Sequence, residues 1–210
     1  MKMIKHVMLS LLVVFVAALV LGSVVLSVSA QEKNQEMSQE QKKMMELWKK
    51  YTFPGEKHKH IEYFVGEWES KIKSWRQPGK EPKVRTQEIK VESFFDGRFT
   101  KAHIKTDASD IGIILETIVI NGYDNFKQEF FSITLSKQRT DYYLTGGKLD
   151  KTGKIRTDTT VRTDIFTGEQ YRVKAITTII NRDKYTYEYY QIDPEGNEVK
   201  RMEITYTRKK

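Results

Sequence analysis

A single carboxylate, Glu116, stands among apolar residues in a segment whose alternate positions would share one face of a strand. Ile114, Ile118 and Ile120 occupy the same phase. A carboxylate in such surroundings must be paired, be hydrated or have a raised pKa. Glu116 is therefore a candidate ligand anchor or acid–base group. The alternative is a carboxylate that points into a wet lumen or meets a lysine at its rim.

Three tyrosines, Tyr185, Tyr187 and Tyr189, alternate along a second segment and would share one strand face. Their rings combine an apolar body with a hydroxyl, which suits the wall of a ligand pocket. Cross-strand aromatic packing in a barrel wall is the alternative interpretation.

The segment from 155 to 164 separates its charged from its uncharged side chains with a period of two. The uncharged face carries Ile155, Thr157, Thr159, Val161 and Thr163. The opposite face carries Arg156, Asp158, Arg162 and Asp164, and we expect it to face solvent. The pattern therefore predicts that Thr157 and Thr159 line a partly polar lumen.

The remaining chemistry is sparse, and we assign no catalytic residue, metal or cofactor. The chain has no cysteine, which excludes disulfides, thiolate zinc sites and cysteine nucleophiles. No nucleophile elbow, phosphate-binding loop, zincin or dinucleotide motif is present in the sequence. His58 and His60 could supply two metal ligands if extended, but surface histidines beside lysines are the favoured interpretation. His103 shares the phase of lysines and is expected to point outward.

The first thirty residues indicate where the protein is delivered in the cell. A short basic start precedes a long apolar run over residues 7–28, and Val28-Ser29-Ala30 has the small residues of a signal-peptidase site. The favoured interpretation is a cleaved signal peptide over residues 1–30. An uncleaved N-terminal anchor through residues 7–28 is the alternative, because about 20 apolar residues span a bilayer. Both place the rest of the chain outside the cytoplasm, in a periplasm or the extracellular space.

Residues 31–56 are expected to form a polar linker and one amphipathic helix. Ser38 and Gln41 have the spacing of a capping box. The helical face that follows carries Met37, Met44, Met45, Trp48 and Tyr51. We expect this stripe to pack on the main domain, and a basic amphipathic helix on an anionic membrane is the alternative.

The remainder, residues 57–210, alternates with a period of two in about ten short runs separated by turn signals such as Asp96-Gly97. Strands joined by tight turns, without intervening helices, form an antiparallel meander. A sheet of this length usually closes, which removes its edges. The fold class is therefore mainly β: an antiparallel up-and-down barrel of about ten strands, preceded by one amphipathic helix.

A resemblance to a known family rests on several blocks. They are HIEYFVGEWE at 60–69, FDGRF at 95–99, NGYDNFK at 121–127 and MEITYTRK at 202–209. The set resembles the bacterial family catalogued as domain of unknown function 1579, over about residues 55–210. The resemblance implies a lipocalin-like (calycin) barrel and supplies no catalytic residue. By the same analogy, Gly66 and Trp68 form the structural signature, and Trp68 stacks on Arg208 of the last strand.

The formal charge is +8, of which a net +4 lies between Lys42 and Lys59 and another +4 is dispersed over the rest of the barrel, and it fits weak contact with an anionic membrane or wall polymer. Nucleic acid is not an expected partner, because the export signal argues against it and no RNA-recognition motif is present. A barrel of this size can enclose a small apolar or amphipathic ligand, which is the favoured function. The alternatives are a filled barrel with a structural or interaction role in the envelope, and an enzyme that uses Glu116 and a tyrosine.

Overall fold

The computed structural model describes residues 37–108 and 112–210. The predicted export segment and the start of the polar linker lie outside the described residues. Within these residues, two helices precede the sheet, α1 at Gln39–Thr52 and α2 at Glu56–Glu62. The chain divides into two units with a boundary between Lys49 and Lys50.

Helix α1 begins with the predicted capping box. The Ser38 backbone N–H donates to the Gln41 side chain at 2.9 Å, and the Gln41 N–H donates to the Ser38 hydroxyl at 3.2 Å. None of the residues of α1 is buried, and Met44 of the methionine–tryptophan stripe is 67% exposed. A buried stripe is therefore not observed. Among the described residues, no helix has both the length and the apolar character needed to cross a bilayer.

Helix α2 was not predicted. Its first turn is fixed by Gly55, whose N–H donates to His58 Nδ1 at 3.0 Å, and it buries His58 and Ile61. The Pro54-Gly55 pair thus ends one helix and starts another. With seven residues, α2 is too short for a clear helical period in the sequence.

Ten antiparallel strands form a closed barrel, in which each strand pairs with its neighbours along the chain and β1 pairs with β10. The strands are β1 Gly66–Ser74, β2 Lys83–Phe94, β3 Phe99–Ala108, β4 Ile113–Asp124, β5 Glu129–Ser136, β6 Tyr142–Leu149, β7 Ile155–Thr163, β8 Gln170–Asn181, β9 Lys184–Ile192 and β10 Glu198–Arg208. The predicted fold class is confirmed. Asp96-Gly97 sits within a turn in which Phe95, Asp96 and Gly97 all have positive φ.

The apolar core fills one end of the barrel and is built from β1, β2, β3, β9 and β10. Its buried members are Trp68, Ile89, Val91, Ala102, Tyr185, Ile204 and Tyr206. Outside the barrel, the middle of the sheet leaves apolar side chains exposed on β4, β5 and β6. Ile114, for example, is 62% exposed, so β4 does present apolar residues on its outer face.

Candidate functional site

The barrel is closed at one end by a stacked pair from its first and last strands. Trp68 is fully buried, and the Arg208 guanidinium carbon lies 4.0 Å from its ring centroid. The contact implied by the resemblance is therefore present. Gly66 has φ +126°, and a Cβ there would lie 2.7 Å from Arg208 Nη1. Only glycine combines this backbone conformation with so close an approach.

The Arg208 guanidinium and the Trp68 indole both donate hydrogen bonds at this closed end. Arg208 donates to the carbonyl oxygens of Tyr63 and Val65, both at 2.7 Å. The Trp68 indole N–H donates to the Phe64 carbonyl at 2.8 Å. These bonds fix residues 63–65, which connect α2 to β1, across the end of the barrel, where they form its floor.

Above this floor, the lumen contains a cavity of about 490 Å³. Pockets that hold small molecules typically measure about 300–1,000 Å³. One side of the cavity is apolar and includes Phe64, Ile89, Val119, Met202 and Ile204. The facing side, on β5 to β8, is polar and includes Ser132, Thr134, Thr145, Arg156, Asp158 and Thr177. The lumen is therefore amphipathic.

All three predicted tyrosines, Tyr185, Tyr187 and Tyr189, line this cavity. Tyr185 also stacks on Tyr206, with ring centroids 4.1 Å apart, so it belongs to the core as well as to the pocket wall. Burial raises the pKa of each of the three hydroxyls above its usual value. They are therefore neutral at pH 7 and act as hydrogen-bond donors and acceptors.

The polar wall is centred on a buried ion pair. Arg156 Nε donates to Asp158 Oδ2 at 2.8 Å, and the two residues are 7% and 2% exposed. Arg156 Nη2 also donates to the Ser132 hydroxyl at 3.0 Å, which in turn donates to Asn121 Oδ1 at 2.5 Å. The four side chains form one network that joins β4, β5 and β7.

This network is incompletely satisfied, because Asp158 Oδ1 is buried and has no hydrogen-bond partner among the described residues. Burial raises the pKa of Asp158, and the Arg156 charge opposes that rise. An unsatisfied buried acceptor costs about 1–3 kcal/mol, and a polar group in a hydrated lumen avoids this cost.

A second arginine of the lumen, Arg162, is held between aromatic rings. Its guanidinium carbon lies 3.8 Å from the Tyr143 ring centroid and 5.2 Å from that of Tyr189. Its Nη1 donates to the Tyr189 hydroxyl at 3.3 Å. Stacking fixes the plane of the guanidinium and leaves its edge for polar contacts.

The predicted orientation of β7 is wrong. Thr157 and Thr159 are exposed on the outside of the barrel, and the charged face that includes Arg156, Asp158 and Arg162 points inward. The charges are tolerated inside because Arg156 and Asp158 neutralise each other. The residue that could have indicated this orientation is Gly147 of β6, which pairs with Asp158. A Cβ at Gly147 would lie 2.4 Å from Asp158 Oδ1, so a glycine is needed beside this carboxylate.

Glu116 also lies outside the lumen, contrary to its predicted role there. It accepts a hydrogen bond of 2.7 Å from His103 Nε2, and Lys105 and Lys137 lie within 4 Å of its carboxylate. The hydrogen bond from His103 is the main reason that the pKa of Glu116 is lowered. The inward positions of β4 are instead those of Val119 and Asn121, which line the cavity. His103 is exposed, as predicted.

The histidines of α2 are not the surface residues that the lysines beside them predicted. His58 is buried, and His60 contacts Phe130 with ring centroids 5.1 Å apart. Burial, aided by the Arg156 charge, lowers the pKa of His60 to about 4. Within the part of the chain that the structure describes, no group of three or more potential metal ligands is present.

The fold and the lumen together define a closed ten-stranded antiparallel barrel with an internal amphipathic cavity. The sequence signature described as "Protein of unknown function (DUF1579)" matches residues 53–208. The chain therefore belongs to this family. A search of curated proteins finds no match.

Proposed function

We propose that this is an exported protein that binds a small apolar or amphipathic molecule in the barrel lumen. The observation that carries the proposal is the cavity of about 490 Å³ with one apolar and one polar wall. Such a lining would bury the body of a ligand and orient its polar atoms, as ligand pockets generally do. The tyrosines Tyr185, Tyr187 and Tyr189 are the predicted site residues that this proposal retains.

Two alternatives receive less support from the geometry. A filled barrel needs a lumen packed by side chains, and a cavity of this size favours binding instead. An enzyme that uses Glu116 and a tyrosine needs the two groups in one cavity, but Glu116 pairs with His103 on the outer surface. Export is proposed from the N-terminal sequence alone, and weak contact with an anionic envelope surface from the positive charge.

Native mass spectrometry of the protein purified from its source cell tests the proposal. We expect a reproducible adduct mass that dissociates on collisional activation. Ala175 is 3% exposed and lines the cavity, so Ala175→Trp should fill the lumen and remove the adduct, with Ala175→Leu as a milder variant. Thr159→Trp, on the outer face of β7, is the matched control and should retain it. An adduct that survives lumen filling would show that the ligand binds elsewhere.

A further inference from the structure

The lumen contains more positive than negative charge. Three arginines, Arg156, Arg162 and Arg201, and one acid, Asp158, line the cavity. Arg156 is paired with Asp158 at 2.8 Å, so its charge is balanced within the wall. Within residues 37–108 and 112–210, neither Arg162 nor Arg201 forms an ion pair with a carboxylate. Two cationic groups of the lumen therefore lack a directly paired carboxylate among these residues.

Arg162 is rigidly held and retains an unused donor. Tyr143 and Tyr189 contact its guanidinium. Among the described residues, only Nη1 has a hydrogen bond, to the Tyr189 hydroxyl at 3.3 Å. Its Nε is buried and has no acceptor among the described side chains and backbone. Buried donors are almost always satisfied in proteins, so this N–H is one that a ligand oxygen would complete.

Arg201 reaches the lumen because β10 is irregular at this point. The pairing with β9 shifts between Lys200 and Met202, which leaves Arg201 as the extra residue. Bulges of this kind often re-aim a side chain beside a functional site. Arg201 Nε donates to Gln191 Oε1 and Nη1 donates to the Arg76 carbonyl, both at 3.0 Å. Its Nη2 makes no hydrogen bond within the described part of the chain.

The two guanidinium groups approach the same stretch of β9. Arg162 bonds to Tyr189, and Arg201 bonds to Gln191. Alternate residues of a strand point to the same side and lie about 7 Å apart. An oxyanion between them would meet two fixed arginines, and arginine binds carboxylate and phosphate oxygens with paired N–H donors.

We propose that Arg162 and Arg201 form an anion-binding site in the lumen, and that the ligand is an amphipathic anion. Its carboxylate or phosphate group binds the two arginines, and its apolar body lies against the wall of Ile89, Val119 and Ile204. This inference rests on the proposed function and adds the charge of the ligand and the residues that select it.

The test compares binding of matched probes by isothermal titration calorimetry, below their critical micelle concentrations. Dodecanoate and dodecyl phosphate carry the two candidate headgroups, dodecanol is neutral and dodecyltrimethylammonium is cationic. The cavity of about 490 Å³ corresponds to about 16 water molecules at about 30 Å³ each. Each probe has roughly that number of non-hydrogen atoms, so its size suits the cavity. We expect one or both anions to bind at least about tenfold more tightly than dodecanol, because hydrogen bonds to charged groups are strong. The relative affinities of the two anions identify the headgroup.

Arg162→Met and, separately, Arg201→Met should reduce the affinity for the preferred anion about tenfold and leave that for dodecanol unchanged. Arg162→Lys keeps the charge and should restore part of the preference, which a merely structural role would not explain. Arg172 is exposed on β8, and Arg172→Met controls for the loss of one net charge. It should leave the anion preference intact.

The outcomes separate the two proposals. If no probe binds and lumen filling changes no adduct, the proposed function is wrong. If dodecanol or the cationic probe binds as tightly as the anions, lumen binding stands and the anion site is wrong. If the variants Arg162→Met and Arg201→Met keep the full anion preference, the anion binds elsewhere. If either variant fails to fold, the preference of the wild-type protein among the four probes still tests the anion site.

Discussion

The closed end of the barrel and the inward wall of β7 are both buried, but they differ in how their polar atoms are satisfied. Around Trp68, the Arg208 guanidinium donates to two carbonyls and the indole donates to a third. In the β7 wall, Asp158 Oδ1 and Arg162 Nε have no partner among the described residues. Unsatisfied buried groups need a specific explanation. His60 Nε2 and Thr100 Oγ1, outside both groups, are also buried without a partner among the described residues. Completeness of hydrogen bonding, rather than burial, therefore distinguishes the Trp68–Arg208 pair from the β7 wall.

The largest expected effect is at the closed end. Trp68→Ala removes the largest fully buried side chain and the surface on which Arg208 stacks. We expect a loss of about 3–5 kcal/mol in the free energy of unfolding, measured by urea denaturation. Phe166→Ala is the control, because Phe166 is almost fully exposed and should change little. A loss below about 1 kcal/mol would mean that Trp68 does not hold the barrel closed.

The polar wall can be disturbed through the glycine that faces it. In Gly147→Ala, the new Cβ would lie 2.1 Å from the Thr157 carbonyl oxygen and 2.4 Å from Asp158 Oδ1. We expect a loss of about 1–3 kcal/mol in chemical denaturation, together with weaker binding in the lumen. Gly146→Ala is a matched control, since its nearest neighbours lie 3.7 Å or more from the new Cβ. Equal losses in the two variants would contradict a close fit around Asp158.

His60 lies beside both regions and makes the stability of the folded protein depend on pH. Its pKa is about 4 in the folded protein, against 6.5 as the unperturbed value. The unfolded chain therefore takes up a proton first, and the stabilising contribution of neutral His60 is lost as the pH falls from about 6.5 to about 4. His60→Phe should flatten this part of the stability profile. Because Asp158 is present in both proteins, the difference between their profiles isolates His60, and parallel profiles would disprove the prediction.

The smallest effect is expected outside the barrel. Glu116→Gln keeps the size of the side chain and removes a charge that is paired with His103 and solvated. Exposed ion pairs contribute little to stability. Neither the unfolding midpoint nor the binding of probes in the lumen should change measurably. A clear loss of binding would show that Glu116 contributes to the ligand site, contrary to its position outside the lumen.

The sequence predicts the barrel well because its signals are local. A period of two and the turn residues between the runs suffice to define ten strands. The contact between Trp68 and Arg208 that closes the barrel was implied by the family resemblance, not by these local signals. Tyr185, Tyr187 and Tyr189 could be placed in the wall because a strand of tyrosines suits an amphipathic pocket.

The lining of the site was harder to predict because it depends on which charged side chains pair with each other, and a period-two pattern does not show this. A lone charge normally faces solvent, and only the pairing of Arg156 with Asp158 makes the inward orientation of β7 favourable. The same problem affects Glu116, whose partner His103 lies on the neighbouring strand. Helix α2 was missed because seven residues carry too little periodicity.

The seam between β1 and β10 has a consequence for how the chain folds. It pairs Trp68 with Arg208, residues from opposite ends of the barrel sequence, whereas every other pairing joins consecutive strands. Contacts between distant residues form slowly, because the entropy of closing a long loop opposes them. During synthesis, β1 emerges long before its partner exists. We therefore expect seam closure to be the slow folding step, and the nascent barrel to expose two strand edges until the last residues arrive.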